Sequence, residues 1–128
     1  MPPTWPPLAP LVEPLLGLPY ETYTCWGLVA HLLKQGWNID LQTDPEALAT
    51  QMVEVWFRGD PPSPLGLVQP WDCLVLSTKN LVGDHCGLAL DSTRFVHTRR
   101  QAGVVLDRLN RWEPKLLQVA RLRPLVAP

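Results

Sequence analysis

An α+β fold in one compact domain is predicted for this chain from three observations. A helical apolar repeat begins at Thr24-Cys25. Two short β-type runs, His85 to Asp91 and Arg94 to Thr98, are joined across Asp91-Ser92-Thr93, and further strand patterns lie at Asp72 to Ser77 and Leu116 to Leu122. At 128 residues and 46% hydrophobic, the chain can bury a sizeable core but has no room for two.

In chain order, residues 1–19 read as a Pro-rich arm, extended by its prolines and laid on the domain surface through Trp5, Leu8, Leu11, Val12, Leu15 and Leu16. Residues 20–128 form the domain. Its first helix is capped by Thr24 and places Leu28, Val29, Leu32 and Leu33 on one face and His31, Lys34 and Gln35 on the other, with Gly36 as a stop. A second helix is expected from Glu46 to Phe57, started by Thr43-Asp44-Pro45-Glu46 and using Leu48, Met52, Val55 and Trp56 as its apolar face. Pro61-Pro62-Ser63-Pro64 then makes a rigid crossing to the strand at Asp72 to Ser77. Near Leu116 to Leu122 the pattern is that of a last strand, and no internal repeat is visible.

The hairpin carries chemistry. If its register joins odd to odd positions, His85, Gly87, Ala89, Phe95 and His97 line one face, and Cys86, Leu88, Leu90 and Val96 line the other, which is apolar enough to be core. Gly87 and Ala89 are small enough for a helix to approach, and that helix is expected to carry Cys25. A thiol in the first turn of a helix meets unpaired N–H groups and the positive end of the dipole, both of which favour the thiolate. Cys25 is therefore the candidate nucleophile, His85 the general base and later acid, and His97 the group that orients the His85 ring. The plainer alternative is a small core cysteine with satisfied histidines.

Order, spacing and flanking residues resemble the NlpC family of cell-wall cysteine peptidases, within the papain-like superfamily. Cys25-Trp26-Gly27-Leu28-Val29 is similar to the family's nucleophile segment in the version found in tail-assembly proteins of tailed phages. His85-Cys86-Gly87-Leu88-Ala89-Leu90 resembles its base strand, and Phe95-Val96-His97-Thr98 the strand ending in the third polar residue. Gly103-Val104-Val105-Leu106 resembles the strand after that, and Pro70-Trp71-Asp72-Cys73-Leu74-Val75-Leu76 the strand before the base, so the likeness spans about residues 17–112. The resemblance implies a papain-like fold with the nucleophile helix packed on an antiparallel sheet, and cleavage of peptidoglycan stem peptides or crosslinks. Thr24 stands where Asp is usual and Cys86 where Val is usual, and the approach to the nucleophile is shortened. Tyr20, Tyr23 and Trp26 are the substrate-binding candidates, with Tyr20 the better match to the family's site tyrosine because it follows Gly17-Leu18-Pro19.

A formal net charge of -1 argues against general nucleic-acid binding. From Arg94 onward eight basic residues face only Asp107 and Glu113, which would suit an anionic cell-wall polymer or an acidic assembly partner. The first residues lack a basic start and apolar run of the signal-peptide kind, and no stretch approaches the ~18–20 apolar residues of a membrane span. The chain is thus expected to be made and kept in the cytoplasm, with virion association the alternative that the phage likeness implies. Three cysteines without a Cys-x-x-Cys fit free thiols; a zinc site from Cys25, Cys73, Cys86 and a histidine lacks paired spacing, and no metal or cofactor is expected. Two function classes stay open: a cysteine peptidase or amidase of peptidoglycan, and a phage tail-tip assembly protein using the fold as an interaction module, with weak or no hydrolysis.

Overall fold

In the computed structural model, residues 6–40, 50–78 and 84–126 are described. A short helix α1 (Ala9–Val12) and a 3₁₀ turn (Glu13–Leu15) precede the long helix α2 (Cys25–Trp37). Six strands follow, β1 (Met52–Phe57), β2 (Cys73–Leu76), β3 (His85–Ala89), β4 (Arg94–Arg99), β5 (Gly103–Arg108) and β6 (Leu116–Leu122), with a helical turn Leu109–Trp112 before the last. All pair antiparallel into one sheet of order β1-β6-β2-β3-β4-β5. Helices packed on an antiparallel sheet make the chain α+β.

Helix α2 begins as its sequence predicts, with the Thr24 hydroxyl accepting from Gly27 N at 3.1 Å. It buries Leu28, Val29, Ala30, Leu32 and Leu33. Gly36 is not its stop. The helix runs on to Trp37 and ends at Asn38, which takes the left-handed conformation at φ 56. Gly36 is small because a Cβ there would overlap the Trp71 ring, itself fully buried.

The expected helix from Glu46 to Phe57 is corrected in its second half. Residues 46–49 lie outside the described residues, but Met52–Phe57 is strand β1, paired with β6. A register shift between Glu54 and Trp56 turns Met52 toward the cluster on the α2 side of the sheet and Trp56 toward the cluster on the other side. That bulge breaks the alternation of a regular strand, so apolar residues four apart imitate a helical stripe.

The sheet has two covered faces. Cys73, Cys86, Leu88, Val96 and Val104 pack with α2, whereas Leu74, Leu76, Ala89, Phe95 and Val119 pack with Trp56 and Leu109 on the opposite side. The hairpin register joins Ala89 to Phe95 and Leu88 to Val96, odd to odd as expected. The expectation that Gly87 and Ala89 receive the helix is wrong, since α2 lies on the Cys86 and Leu88 face. Gly87 instead makes room for its neighbours on β4, because a Cβ there would sit 2.7 Å from Val96 O, 2.9 Å from the Phe95 ring and 3.2 Å from His97 Cβ.

Over residues 9–15 the arm is helical where an extended course is expected, and residues 1–5, Trp5 among them, lie outside the described residues. Leu8 and Val12 are buried in the same cluster as α2, and Trp71 Nε1 donates to Pro6 O at 2.7 Å. Gly17 N donates to Val104 O, and Val104 N to Leu18 O, each at 2.9 Å, so the arm occupies the outer edge of β5. Among the described residues no helix is long and apolar enough to cross a membrane.

Candidate active site

Cys25 opens α2 at the rim of the sheet where β3 begins. It lines one cavity with His85 and packs against the core cluster that holds the next β3 residue, Cys86, and those two β3 side chains leave the strand toward opposite faces. The Cys86 thiol, the His85 ring and its charge together outweigh burial and hold Cys25 down at about 4. Cys86 is shifted upward, first by its hydrogen bond to Cys25 and then by burial. Burial, with Asp72 and Cys25 nearby, pushes Cys73 up to about 12. Of the three thiols, Cys25 is the one whose surroundings favour the anion.

Behind His85 the polar chain continues. His85 Nε2 lies 2.7 Å from His97 Nδ1, and His97 Nε2 lies 2.6 Å from Asp107 Oδ2. The β4–β5 register explains the meeting, because Phe95 is paired with Asp107 and His97 with Val105, which puts His97 and Asp107 diagonally on one face. His97 is fully buried, and desolvation lowers it to about 4 although Asp107 opposes the shift. It is therefore neutral near pH 7.

That neutrality fixes the tautomers in sequence. Asp107, as a carboxylate, can only accept, so the one N–H of His97 is on Nε2 and its Nδ1 accepts from His85 Nε2–H. His85 is left with Nδ1 for the thiol. The arrangement can withdraw a proton from Cys25 and hold the resulting imidazolium with both N–H groups bonded.

The site opens into a cavity of about 540 Å³ lined by Tyr20, Cys25, His85, Arg99, Arg100 and Trp112, among others. The Arg100 guanidinium sits 5.2 Å over the Tyr20 ring. Asp84 also lines the cavity, with both carboxylate oxygens engaged by the N–H and hydroxyl of Thr78 at 2.7 Å each. Among the described residues neither Arg99 nor Arg100 is paired with a carboxylate. Trp112 walls the histidine pair, its ring 4.9 Å from that of His97 and 6.0 Å from that of His85.

Cys25, His85 and His97 are thus brought together, with Tyr20 beside them. Tyr23 and Trp26 are not: the Tyr23 ring packs on His31 at 4.9 Å, and both residues rest against the core on the α2 side. Sequence reasoning missed Asp107 and Trp112. The signal for Asp107 was present as an acid of odd parity at the end of an apolar run, Val104-Val105-Leu106-Asp107, next to the His97 strand. Nothing local marks Trp112, which arrives from the turn before β6. Among the described residues no three His, Cys, Asp or Glu side chains converge as a metal site.

Compared with known proteins, the chain matches no family model and no curated relative.

Proposed function

We propose that this chain is a cysteine peptidase or amidase of the NlpC type that acts on stem peptides or crosslinks of peptidoglycan. The observation that carries the reading is the line of side chains from Cys25 and His85 at the cavity through His97, 2.7 Å from His85, to Asp107, 2.6 Å from His97. The Cys25 thiolate attacks the carbonyl carbon, and His85 gives its proton to the departing amine, which leaves a thioester. Water then attacks that thioester while His85 takes its proton, releasing the acid and the thiolate. His97 and Asp107 touch no reacting atom and act by holding the His85 ring.

Arg99 and Arg100 support the substrate class. Two guanidiniums at the cavity wall suit a peptide rich in carboxylates, as stem peptides are, and Tyr20 offers a flat surface beside them. The test is to incubate purified protein with peptidoglycan sacculi and identify released fragments by mass spectrometry. Fragments with newly freed amine and carboxyl ends are expected from the wild type and not from Cys25→Ala. If folded wild-type protein releases none, the reading gives way to that of an interaction module in a phage tail.

A further inference from the structure

Cys86, the residue after the proposed base His85, is a thiol that hydrolysis does not use. It turns to the α2 face of β3 and is buried in the cluster against which Cys25 packs, and His85 before it lines one cavity with Cys25. We propose that Cys25 and Cys86 are a peroxide-sensitive dithiol pair, in which oxidation of Cys25 is captured by Cys86 as an intramolecular disulfide. The geometry sets the order of events. Cys25 lines the cavity and meets a small hydroperoxide first, whereas Cys86 is shielded beneath it.

The Cys25 thiolate attacks one peroxide oxygen, the O–O bond breaks, and the departing oxygen leaves with a proton as water or an alcohol. Sulfur is oxidised by two electrons to the sulfenic acid, and the peroxide is reduced by two. The Cys86 sulfur then displaces the sulfenic hydroxyl, which leaves with the Cys86 proton as water, and the S–S bond forms. Two thiols and one hydroperoxide thus become one disulfide, one water and one water or alcohol. The two sulfurs, which meet where the start of α2 packs on β3, must close to about 2.0 Å for the bond to form. A dithiol reductant reverses it. Closure removes the nucleophile, so the pair would gate whatever chemistry Cys25 performs; the inference rests on Cys25 being the exposed thiolate, and it holds whether or not peptidoglycan is the substrate.

Equimolar hydrogen peroxide, followed by alkylation and peptide mapping under non-reducing conditions, decides it. A mass loss of two hydrogens with the Cys25 and Cys86 peptides crosslinked, restored by dithiothreitol, is the expected result. Cys73→Ala should still crosslink. Cys86→Val should instead accumulate a Cys25 sulfenic acid, trapped by a dione reagent, and pass to the sulfinic acid in excess peroxide. Sulfinic acid at Cys25 of the wild type with no crosslink, or a Cys25–Cys73 bond, overturns the proposal. Iodoacetamide labelling of reduced protein keeps the two ideas apart: a Cys25 that labels fast and never crosslinks defeats the dithiol pair and leaves the peptidase reading standing.

Discussion

At the residue scale, the chemistry depends on unequal treatment of three thiols. Cys25 is stabilised as an anion by Cys86 and His85, whereas burial keeps Cys73 protonated. Limited alkylation at pH 7 should label Cys25 at least about tenfold faster than Cys73 or Cys86, and its rate should decline only as pH falls toward 4. Equal labelling of the three in folded protein would remove the basis for the nucleophile. A second expectation concerns the histidine pair. Asp107→Asn lets the amide donate to His97 Nε2, which moves the His97 proton to Nδ1 and sets it against His85 Nε2–H. Activity should fall by about 10–100-fold. Nitrogen NMR should also report the changed His97 tautomer, a readout that mere loosening of the fold would not give. His97→Asn should retain more activity than His97→Ala, because its amide oxygen can still accept from His85.

At the element scale, the site depends on where α2 starts and how closely β3 approaches β4. Thr24→Ala removes the acceptor for Gly27 N and should cost about 1 kcal/mol, while Thr24→Ser should cost little. Gly87→Ala is the sharper test. Its methyl group meets Val96 O and the Phe95 ring inside van der Waals contact, so β3 and β4 must separate or His97 must move. A loss of about 1–3 kcal/mol in denaturant unfolding is expected, with activity lost beyond what the remaining folded fraction explains. Gly87→Ala protein of wild-type stability and activity would mean that the close approach is not needed to hold the histidines.

At the scale of the whole molecule, the burial of His97 couples the site to folding. Its pKa is about 4 in the fold against 6.5 when exposed, so between these values the unfolded chain binds more protons. Its contribution is complete above about pH 6.5 and is lost as pH falls toward 4, amounting to as much as about 3 kcal/mol. Asp72 acts with the opposite sign, since burial raises its pKa even though Arg121 binds it at 2.8 and 2.9 Å. The His97 part is therefore read as a difference: unfolding free energy should fall less steeply from pH 6.5 to 4 in His97→Asn than in the wild type. Parallel curves would place the His97 proton elsewhere.

The start of α2, the strands β2 to β4 and β6, the hairpin register and the trio Cys25, His85 and His97 are all legible in the sequence. Each depends on neighbours a few residues apart, where helical and strand periodicity speak directly. Pairing over long distance decided the rest. β1 is a strand because β6, some sixty residues later, supplies its hydrogen bonds, and its bulge hid the alternation that would have announced it. Parity separates the faces of the hairpin but cannot say which one a helix covers, and the apolar Cys86 and Leu88 face proved to be the one. Asp107 reaches His97 only through the β4–β5 register, and residues 9–15 of the arm turn helical where Leu8 and Val12 find the core beside α2. Local pattern determined which groups could do the chemistry. The sheet, by bringing distant strands into register, decided which of them stand in line.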